Sequence, residues 1–153
     1  MHTLTYRRMI LADDPDILTL NTIFQTPAIR QYIHISEPYF RYVTENEHVY
    51  FYKVYENDSL IGSIHLEKQE TVLFMALVVF PEFQRRGIGT SIVNDIQKDI
   101  FGLNYQRIEI SIEEQNLASL RLFQKAGFVF TSKHEELIEL VYDKNAEDHT
   151  DGT

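Results

Sequence analysis

A turn with the composition of an anion-binding loop lies near the middle of the sequence, at residues 81–90. It starts with a proline, carries two adjacent arginines and ends in a glycine pair, Gly87 and Gly89. Glycine has no Cβ, so a ligand can approach the backbone closely, and the first N–H groups of a helix lack partners within that helix. Such groups bind phosphate well. The turn therefore predicts a diphosphate site; an ordinary helix start with two solvated arginines is the simpler alternative.

The sequence around the turn supplies the context that an anion site requires. Residues 71–80 form a long apolar run, which predicts a central strand covered on both faces. The turn lacks the third glycine of a dinucleotide-binding fingerprint and the Gly-Lys-Ser/Thr ending of a nucleoside triphosphate loop, so neither site is favoured. A helix is predicted from Gly89 to about Phe101 and ends at Gly102, with an apolar face of Ile88, Ile92, Val93, Ile96 and Ile100.

Composition and charge narrow the class of protein. The 153 residues, 44% of them apolar, suit one domain with a real core. The absence of cysteine excludes disulfides and thiol chemistry, and the six histidines lack metal-ligand spacing, so no metal is expected. A net charge of -9 argues against a nucleic-acid partner and mildly favours cationic substrates. No apolar stretch is long enough for a membrane span, and the N-terminus lacks a signal peptide, which predicts a cytoplasmic protein.

The order of the remaining predicted elements indicates the fold. It predicts an α/β fold of the α+β type: a single mixed, mostly antiparallel central sheet covered by helices on both faces. Residues 1–142 would form the domain, and the acidic tail at 143–153 is expected to be disordered. The predicted elements are a strand at 3–11, a helix from Asp13 with Ile17, Leu18 and Leu20 on its apolar face, helical character to about Asn46, strands at 48–55, 60–68 and 107–112, a helix from Asn116 to Ala126, and strands at 128–131 and 135–141.

Two motifs resemble those of the GNAT (Gcn5-related) N-acetyltransferase family. Residues 84–89, Gln-Arg-Arg-Gly-Ile-Gly, match its acetyl-CoA signature Gln/Arg-x-x-Gly-x-Gly/Ala at every position. Residues 77–81 resemble the strand end that precedes this signature. Residues 116–128 resemble the second motif, Asn-x-x-Ala followed by an aromatic residue, Lys and Gly-Phe. The resemblance implies that the strands at 71–80 and 107–112 are parallel and splay apart, with pantetheine lying in the opening.

The resemblance also implies which residues bind the cosubstrate, acetyl-CoA. Backbone groups of Leu77 and Val79 would bind the pantetheine arm and the thioester oxygen, and the N–H groups of residues 85–90 would hold the diphosphate. Leu77 and Val79 fit a plain core strand equally well, and Asn116 is a good helix cap whatever else it does. The residues implied in cosubstrate binding are Leu77, Val78, Val79, Gln84, Arg85, Arg86, Gly87, Ile88, Gly89, Thr90, Asn116, Ser119, Phe123 and Lys125.

The catalytic groups depart from the family pattern. Phe123 stands where the family often carries a tyrosine that protonates the departing thiolate, and the strand at 71–80 lacks the glutamate that some relatives place there. Candidate bases therefore lie on neighbouring strands. The imidazole of His65 is suited to relay a proton through water, and Glu109 and Glu113 are equally plausible by position. A structural histidine and two exposed charges are the alternative interpretations.

The acceptor site is expected within residues 24–55, which are rich in aromatic side chains. The corresponding family region supplies one wall of the acceptor pocket, so some of these rings with His34 or Glu37 are candidates. We expect an N-acetyltransferase that acetylates a primary amine, a small molecule, by direct attack in a ternary complex. A homodimer is one possible assembly. The alternatives are a catalytically impaired acyl-CoA-binding sensor or subunit, suggested by Phe123, and an unrelated phosphate-binding domain.

Overall fold

The structure, a computed structural model, describes residues 3–32 and 38–145. Its strands are β1 (Leu4–Arg8), β2 (Val49–Glu56), β3 (Ser59–Gln69), β4 (Val72–Val79), β5 (Arg107–Glu113), β6 (Val129–His134) and β7 (Leu137–Asp143). Its helices are α1 (Ile17–Phe24), α2 (Pro27–Arg30), α3 (Tyr39–Glu45), α4 (Ile88–Gln97) and α5 (Leu117–Lys125), with a 3₁₀ turn at Pro81–Phe83. His34, Glu37 and most of the acidic tail lie outside the described residues.

The seven strands form one mixed sheet of order β1-β2-β3-β4-β5-β7-β6, which confirms the predicted fold class. The pair β4 and β5 is parallel, whereas β1 with β2, β5 with β7, and β6 with β7 are antiparallel. The parallel ladder runs only from Val72 opposite Arg107 to Phe74 opposite Glu109, although both strands continue well beyond it. This short ladder is the pairing expected of two splayed strands.

Close contacts group the described residues into two compact units. The first lies within residues 1–66 and 77–89, and the second within residues 67–76 and 90–153. The first unit is built on an aromatic core in which Phe40 of α3 stacks on Phe24 of α1 and meets Phe51 of β2 edge-on, with centroids 6.4 and 6.1 Å apart. The buried members of this core are Met9, Leu20, Phe24, Ile29, Phe40, Val43, Val49, Phe51, Val78 and Phe80.

In the second unit, two tyrosines contact the end of α4 and the segment that follows α5. The buried Tyr105 donates from its hydroxyl to the carbonyls of Ile96 and Gln97, each at 3.0 Å, and so satisfies the end of α4. Tyr142 of β7 packs on Phe128, with ring centroids 5.5 Å apart. The Gln97 amide nitrogen also donates to the carbonyl of Ala126 at 2.7 Å, which ties the end of α4 to the end of α5.

In two helices, one residue predicted to lie on the buried apolar face is exposed. Leu18 was expected on the buried face of α1 but is 77% exposed, because the buried residues follow the spacing of Leu20 and Phe24. Ile100 was expected on α4 but is 48% exposed, because the helix ends at Gln97. Asp99 then adopts a left-handed conformation with φ of 54°. Its carboxylate accepts bonds from the next loop, at Leu103 N and Asn104 N, which stabilises the early termination.

Strand β4 occupies the centre of the sheet, as predicted, but its two faces are not equally covered. Leu73, Met75 and Val78 are buried, whereas Phe74 and Ala76 are exposed. The expectation that the strand is covered on both faces is therefore wrong. An apolar run alone does not show which face of a strand the rest of the protein covers. Within residues 3–32 and 38–145, no helix has the length and apolar character needed to cross a bilayer.

Candidate functional site: the turn after strand β4

The turn that joins β4 to α4 has two left-handed backbone positions. Arg85 has φ of 64° and Gly87 has φ of 79°. A non-glycine residue in this region costs about 1–3 kcal/mol, and such strain is concentrated at functional sites. Positions of this kind turn successive N–H groups toward one side, which makes a concave anion-binding surface. This turn, immediately before the first turn of α4, is therefore the candidate diphosphate cradle.

Two side chains hold the cradle to the first unit. The Gln84 amide nitrogen donates to the carbonyl of Val79 at 2.9 Å and closes the turn on the end of β4. Arg86 donates through Nη2 to Glu56 Oε1 at 3.2 Å, at the end of β2. Arg85 is exposed. Gln84 and Arg86, implied by the motif as cosubstrate residues, thus have structural partners, while Arg85 remains oriented to solvent.

Gly62 of β3 is a residue that the sequence prediction missed. A Cβ at this position would lie 2.4 Å from the carbonyl oxygen of Val78 and 3.4 Å from the Cα of Val79. Real Cβ atoms do not approach backbone this closely, so only glycine allows β3 to pass this part of β4. The signal was an isolated glycine inside a strand pattern, which typically marks a close backbone approach. Gly62 therefore sets the position of the segment implied in thioester binding.

His65 lies further along β3 and contacts two tyrosines of α3. The Tyr39 hydroxyl and His65 Nδ1 form a hydrogen bond of 2.7 Å. The Tyr42 ring stacks on the imidazole, with centroids 6.4 Å apart and planes inclined by 25°. Both neighbours of His65 in sequence, Ile64 and Leu66, are fully buried, while His65 is half-buried. The candidate base is thus a positioned imidazole with some exposure.

A second polar cluster in the first unit surrounds the amine of Lys53. Lys53 is only 7% exposed, and its Nζ contacts Asp14 and Asp16 at 2.9 Å each. Tyr55 donates to Asp16 at 2.5 Å. Hydrogen bonds from Tyr55 and Lys53 lower the pKa of Asp16 below its ordinary value. Burial alone would lower the pKa of Lys53, but its bonds to the two aspartates outweigh that effect and raise it.

The second motif and the carboxylate candidates lie in the second unit. Asn116 caps α5, as predicted, because its Oδ1 accepts the N–H of Ser119 at 3.4 Å. Phe123 is buried and meets Phe128 edge-on, with centroids 5.2 Å apart, so its ring is a core residue. Lys125 is exposed in the last turn of α5. Glu109 Oε2 accepts a bond from Arg107 at 3.1 Å, which makes it part of an ion pair.

The candidate site residues are divided between the two units. The first unit contains the end of β4, the cradle, Gly62 and His65, while the second contains Glu109, Glu113 and the α5 motif. The profile of the acetyltransferase (GNAT) family matches residues 17–128. The chain belongs to this family. It is an acyltransferase of the N-acetyltransferase type, and acetyl-CoA is its cosubstrate.

Solved structures support the fold assignment. A Campylobacter jejuni N-acetyltransferase, PseH, in complex with acetyl coenzyme A has a TM-score of 0.74 and 15% identity, covering 93% of this chain and 99% of its own. A Vibrio cholerae spermidine N-acetyltransferase with CoA and spermine has a TM-score of 0.77 and 15% identity, covering 93% of this chain and 96% of its own. The aminoglycoside acetyltransferase AAC(6')-Ib with coenzyme A has a TM-score of 0.75 and 18% identity, covering 97% of this chain and 99% of its own. No curated protein sequence matches significantly.

Proposed function

We propose that the protein transfers the acetyl group of acetyl-CoA to a primary amine of a small molecule, by direct attack in a ternary complex. The observation that carries the proposal is the cradle at Arg85 and Gly87, whose left-handed backbone precedes a helix in a member of an acetyltransferase family. When bound, acetyl-CoA supplies the thioester from which the amine takes the acetyl group. The residues of the chain must orient that thioester and remove a proton from the amine.

The cosubstrate would be held mainly by backbone groups. N–H groups of residues 85–90 would bind the diphosphate, and the backbone of Leu77 and Val79 would bind the pantetheine arm and the thioester oxygen. One donor directed at a developing oxyanion typically contributes roughly 3–4 kcal/mol. The α5 motif with Asn116, Ser119, Phe123 and Lys125 is assigned to the cosubstrate on its resemblance to the family motif alone.

Deprotonation of the amine is the step that most needs a side chain. A lysine-like amine with a pKa of ~10.4 is neutral in about one molecule in 2,500 at pH 7. We assign the base to His65, with Glu109 as the second candidate. His65 lies three residues from Gly62, roughly 10 Å along the strand from the end of β4. A proton relay over this distance would pass through more than one water molecule, and the other candidate, the carboxylate of Glu109, is engaged by Arg107.

The departing thiolate needs less help than the amine. A thiol pKa of about 8.5 lies ~1.5 units above neutral pH, so release as thiolate costs on the order of 2 kcal/mol. Phe123 has no proton to donate, and its burial against Phe128 fits a core role. Water can then protonate the thiolate after release.

A small cationic amine fits the acceptor side best. The chain has a net charge of -9, and α3 presents Tyr39 and Tyr42 beside His65. Aromatic faces attract ammonium groups, and the overall charge favours a cation. The structural neighbours include a spermidine N-acetyltransferase and an aminoglycoside acetyltransferase. We therefore include both classes among the acceptors to be tested.

The first experiment is calorimetric titration with acetyl-CoA of the wild type and of a double variant, Gly87→Val with Gly89→Val. Binding by the wild type alone is the expected result. Gly102→Val is the matched control, because Gly102 is also left-handed, with φ of 68°, and a Cβ there would meet no atom within 4 Å. Absence of binding by the wild type would overturn the proposal. A screen for CoA release with spermidine, kanamycin and simple alkylamines then tests catalysis.

The core position of Phe123 favours a second candidate function, an acyl-CoA-binding sensor or subunit with impaired catalysis. Acetyl-CoA would bind in the calorimeter, but no amine would release CoA. Detectable acetyl transfer to any amine would exclude this alternative in its strict form.

Sedimentation of the same samples, with and without acetyl-CoA, tests whether the protein forms the homodimer that its family membership suggests.

A further inference from the structure

Helix α3 makes two different contacts with His65. Tyr39 and Tyr42, one helical turn apart, both face the imidazole, but the hydroxyl of Tyr39 reaches Nδ1 at 2.7 Å while Tyr42 presents its ring. The Tyr39 and His65 rings are tilted by 37° with centroids 5.6 Å apart, so Tyr39 contacts the imidazole by its hydroxyl rather than by stacking. The contact at Nδ1 is thus directional.

The ring of Tyr39 is itself fixed by the core. It meets Phe40 edge-on at 5.2 Å and Phe51 edge-on at 6.0 Å, and Phe51 is fully buried. A phenol held on two sides keeps its oxygen in one place, so the hydrogen bond to His65 does not depend on a freely rotating side chain. Tyr39 therefore links the core of the first unit to the candidate base.

The state of one imidazole nitrogen determines what the other can do. In a neutral imidazole one nitrogen carries the proton and the other carries a lone pair, and a phenol hydroxyl can accept a hydrogen bond from the first or donate one to the second. To accept a proton from an amine through water, Nε2 needs the lone pair. In that tautomer the proton resides on Nδ1, and the Tyr39 oxygen, 2.7 Å away, is placed to accept it.

We propose that Tyr39 is a positioning residue for His65, whose hydroxyl oxygen accepts the Nδ1 proton and so holds the imidazole in the tautomer with a basic Nε2. The inference rests on the proposed function, in which His65 relays the proton of the acceptor amine. In the transfer step the amine loses a proton to water, water loses one to Nε2, and the new amide bond replaces the thioester bond. The Nδ1 proton stays in place throughout.

The test is nitrogen NMR of the full chain with ¹⁵N-labelled histidine, at a pH of about 8.5 where imidazoles are neutral. The six histidines are distinguished by comparison with His65→Gln. The wild type should show His65 protonated at Nδ1. Tyr39→Phe keeps the ring in its packing site but removes the oxygen, and should shift His65 toward the Nε2-protonated tautomer. An Nε2-protonated His65 in the wild type, or an unchanged ratio in Tyr39→Phe, would overturn the inference.

Tyr50→Phe is the matched control for the spectrum. It also removes one hydroxyl from the first unit, but the Tyr50 ring lies against the guanidinium of Arg8, with Cζ 4.5 Å from the centroid. The His65 signals should be the same in this variant as in the wild type. A tautomer change in Tyr50→Phe as large as in Tyr39→Phe would show that any loosening of the unit affects His65, and would count against a specific role.

Kinetics separate positioning from packing. With an amine from the screen that releases CoA, Tyr39→Phe should lower kcat on the order of tenfold, part of the roughly 10²–10⁴-fold that a positioned base supplies, and leave the KM for acetyl-CoA unchanged. The double variant with His65→Gln should be no slower than His65→Gln alone, because the two side chains act as one unit. An unchanged kcat would reject the positioning role. Absence of acetyl-CoA binding by the wild type would instead be a failure of the proposed function, and loss of binding in Tyr39→Phe alone would reject the positioning role.

Discussion

At the scale of single residues, the Lys53 cluster makes the free energy of unfolding depend on pH in the acidic range. Asp16 has a lowered pKa in the folded state, so its contribution to the free energy of unfolding is present above the ordinary value of 3.8. It is lost as pH falls through the lowered folded-state value. We expect urea unfolding between about pH 2 and 5 to show a weaker loss of stability toward acid in Asp16→Asn than in the wild type. Asp13→Asn, at an exposed carboxylate three residues before Asp16, is the control and should retain the wild-type profile.

Removal of the buried amine should be more damaging than removal of an exposed one. Lys53→Met leaves two carboxylates together without their partner, which typically costs about 3–5 kcal/mol when a buried pair is broken. Lys133→Met removes a partner of Glu114 at a largely exposed site, where pairs contribute about 0–1 kcal/mol. Chemical denaturation at neutral pH measures both. Equal losses in the two variants would contradict the structural role of Lys53.

Single residues also show what a sequence can predict. The cap at Asn116 is local, and the spacing to the following helix was enough to identify it. Lys53 and its aspartates are separated by 37 and 39 positions, and Tyr39 and His65 by 26. Such pairs depend on which elements become neighbours, so periodicity and composition alone gave no sign of them. His65 could be named as a candidate base, but its partner could not.

At the scale of elements, Gly62 controls how closely β3 approaches β4. Gly62→Ala places a methyl group 2.4 Å from the Val78 carbonyl, so backbone must move. We expect a loss of roughly 1–3 kcal/mol in the free energy of unfolding, and weaker acetyl-CoA binding because the Val78–Val79 segment shifts. Gly102→Ala controls for an added methyl group: it strains a left-handed position but meets no atom within 4 Å. Calorimetry should show weaker binding in Gly62→Ala only.

Elements also mark the limit of pattern-based prediction. The start of α4 was located from the glycine pair, but its end was misplaced because Asp99 leaves the helix in a left-handed conformation that its side chain stabilises. The exposed Phe74 was expected to be buried because apolar composition does not show which face of a strand its neighbours cover. The strand existed where predicted, but the environment of its two faces depended on its neighbours.

At the scale of the whole molecule, the net charge of -9 should influence the encounter with substrates. If the acceptor is a cationic amine, kcat/KM should fall as salt rises from about 0.05 to 0.3 M, because the Debye length shortens to below 10 Å. The kcat/KM for acetyl-CoA, which is an anion, is the internal control and should not fall in parallel with the kcat/KM for the amine. Initial rates at several salt concentrations, with the other substrate saturating, measure both. A kcat/KM for the amine that rises with salt would argue against a cationic acceptor.

The last strand of the sheet has a consequence for handling the protein. Val129 and Phe130 on β6 are 63% and 58% exposed, and apolar strands at a sheet end are templates for aggregation. The register of β6 against β7 shifts between Phe130 and Ser132, and Lys133 adds a charge on the same strand. A bulge and a lysine both discourage edge-to-edge stacking of copies. The irregularity of β6 thus hinders fibre formation. If the strand were made regular, we expect the protein to aggregate on storage before its catalysis changed.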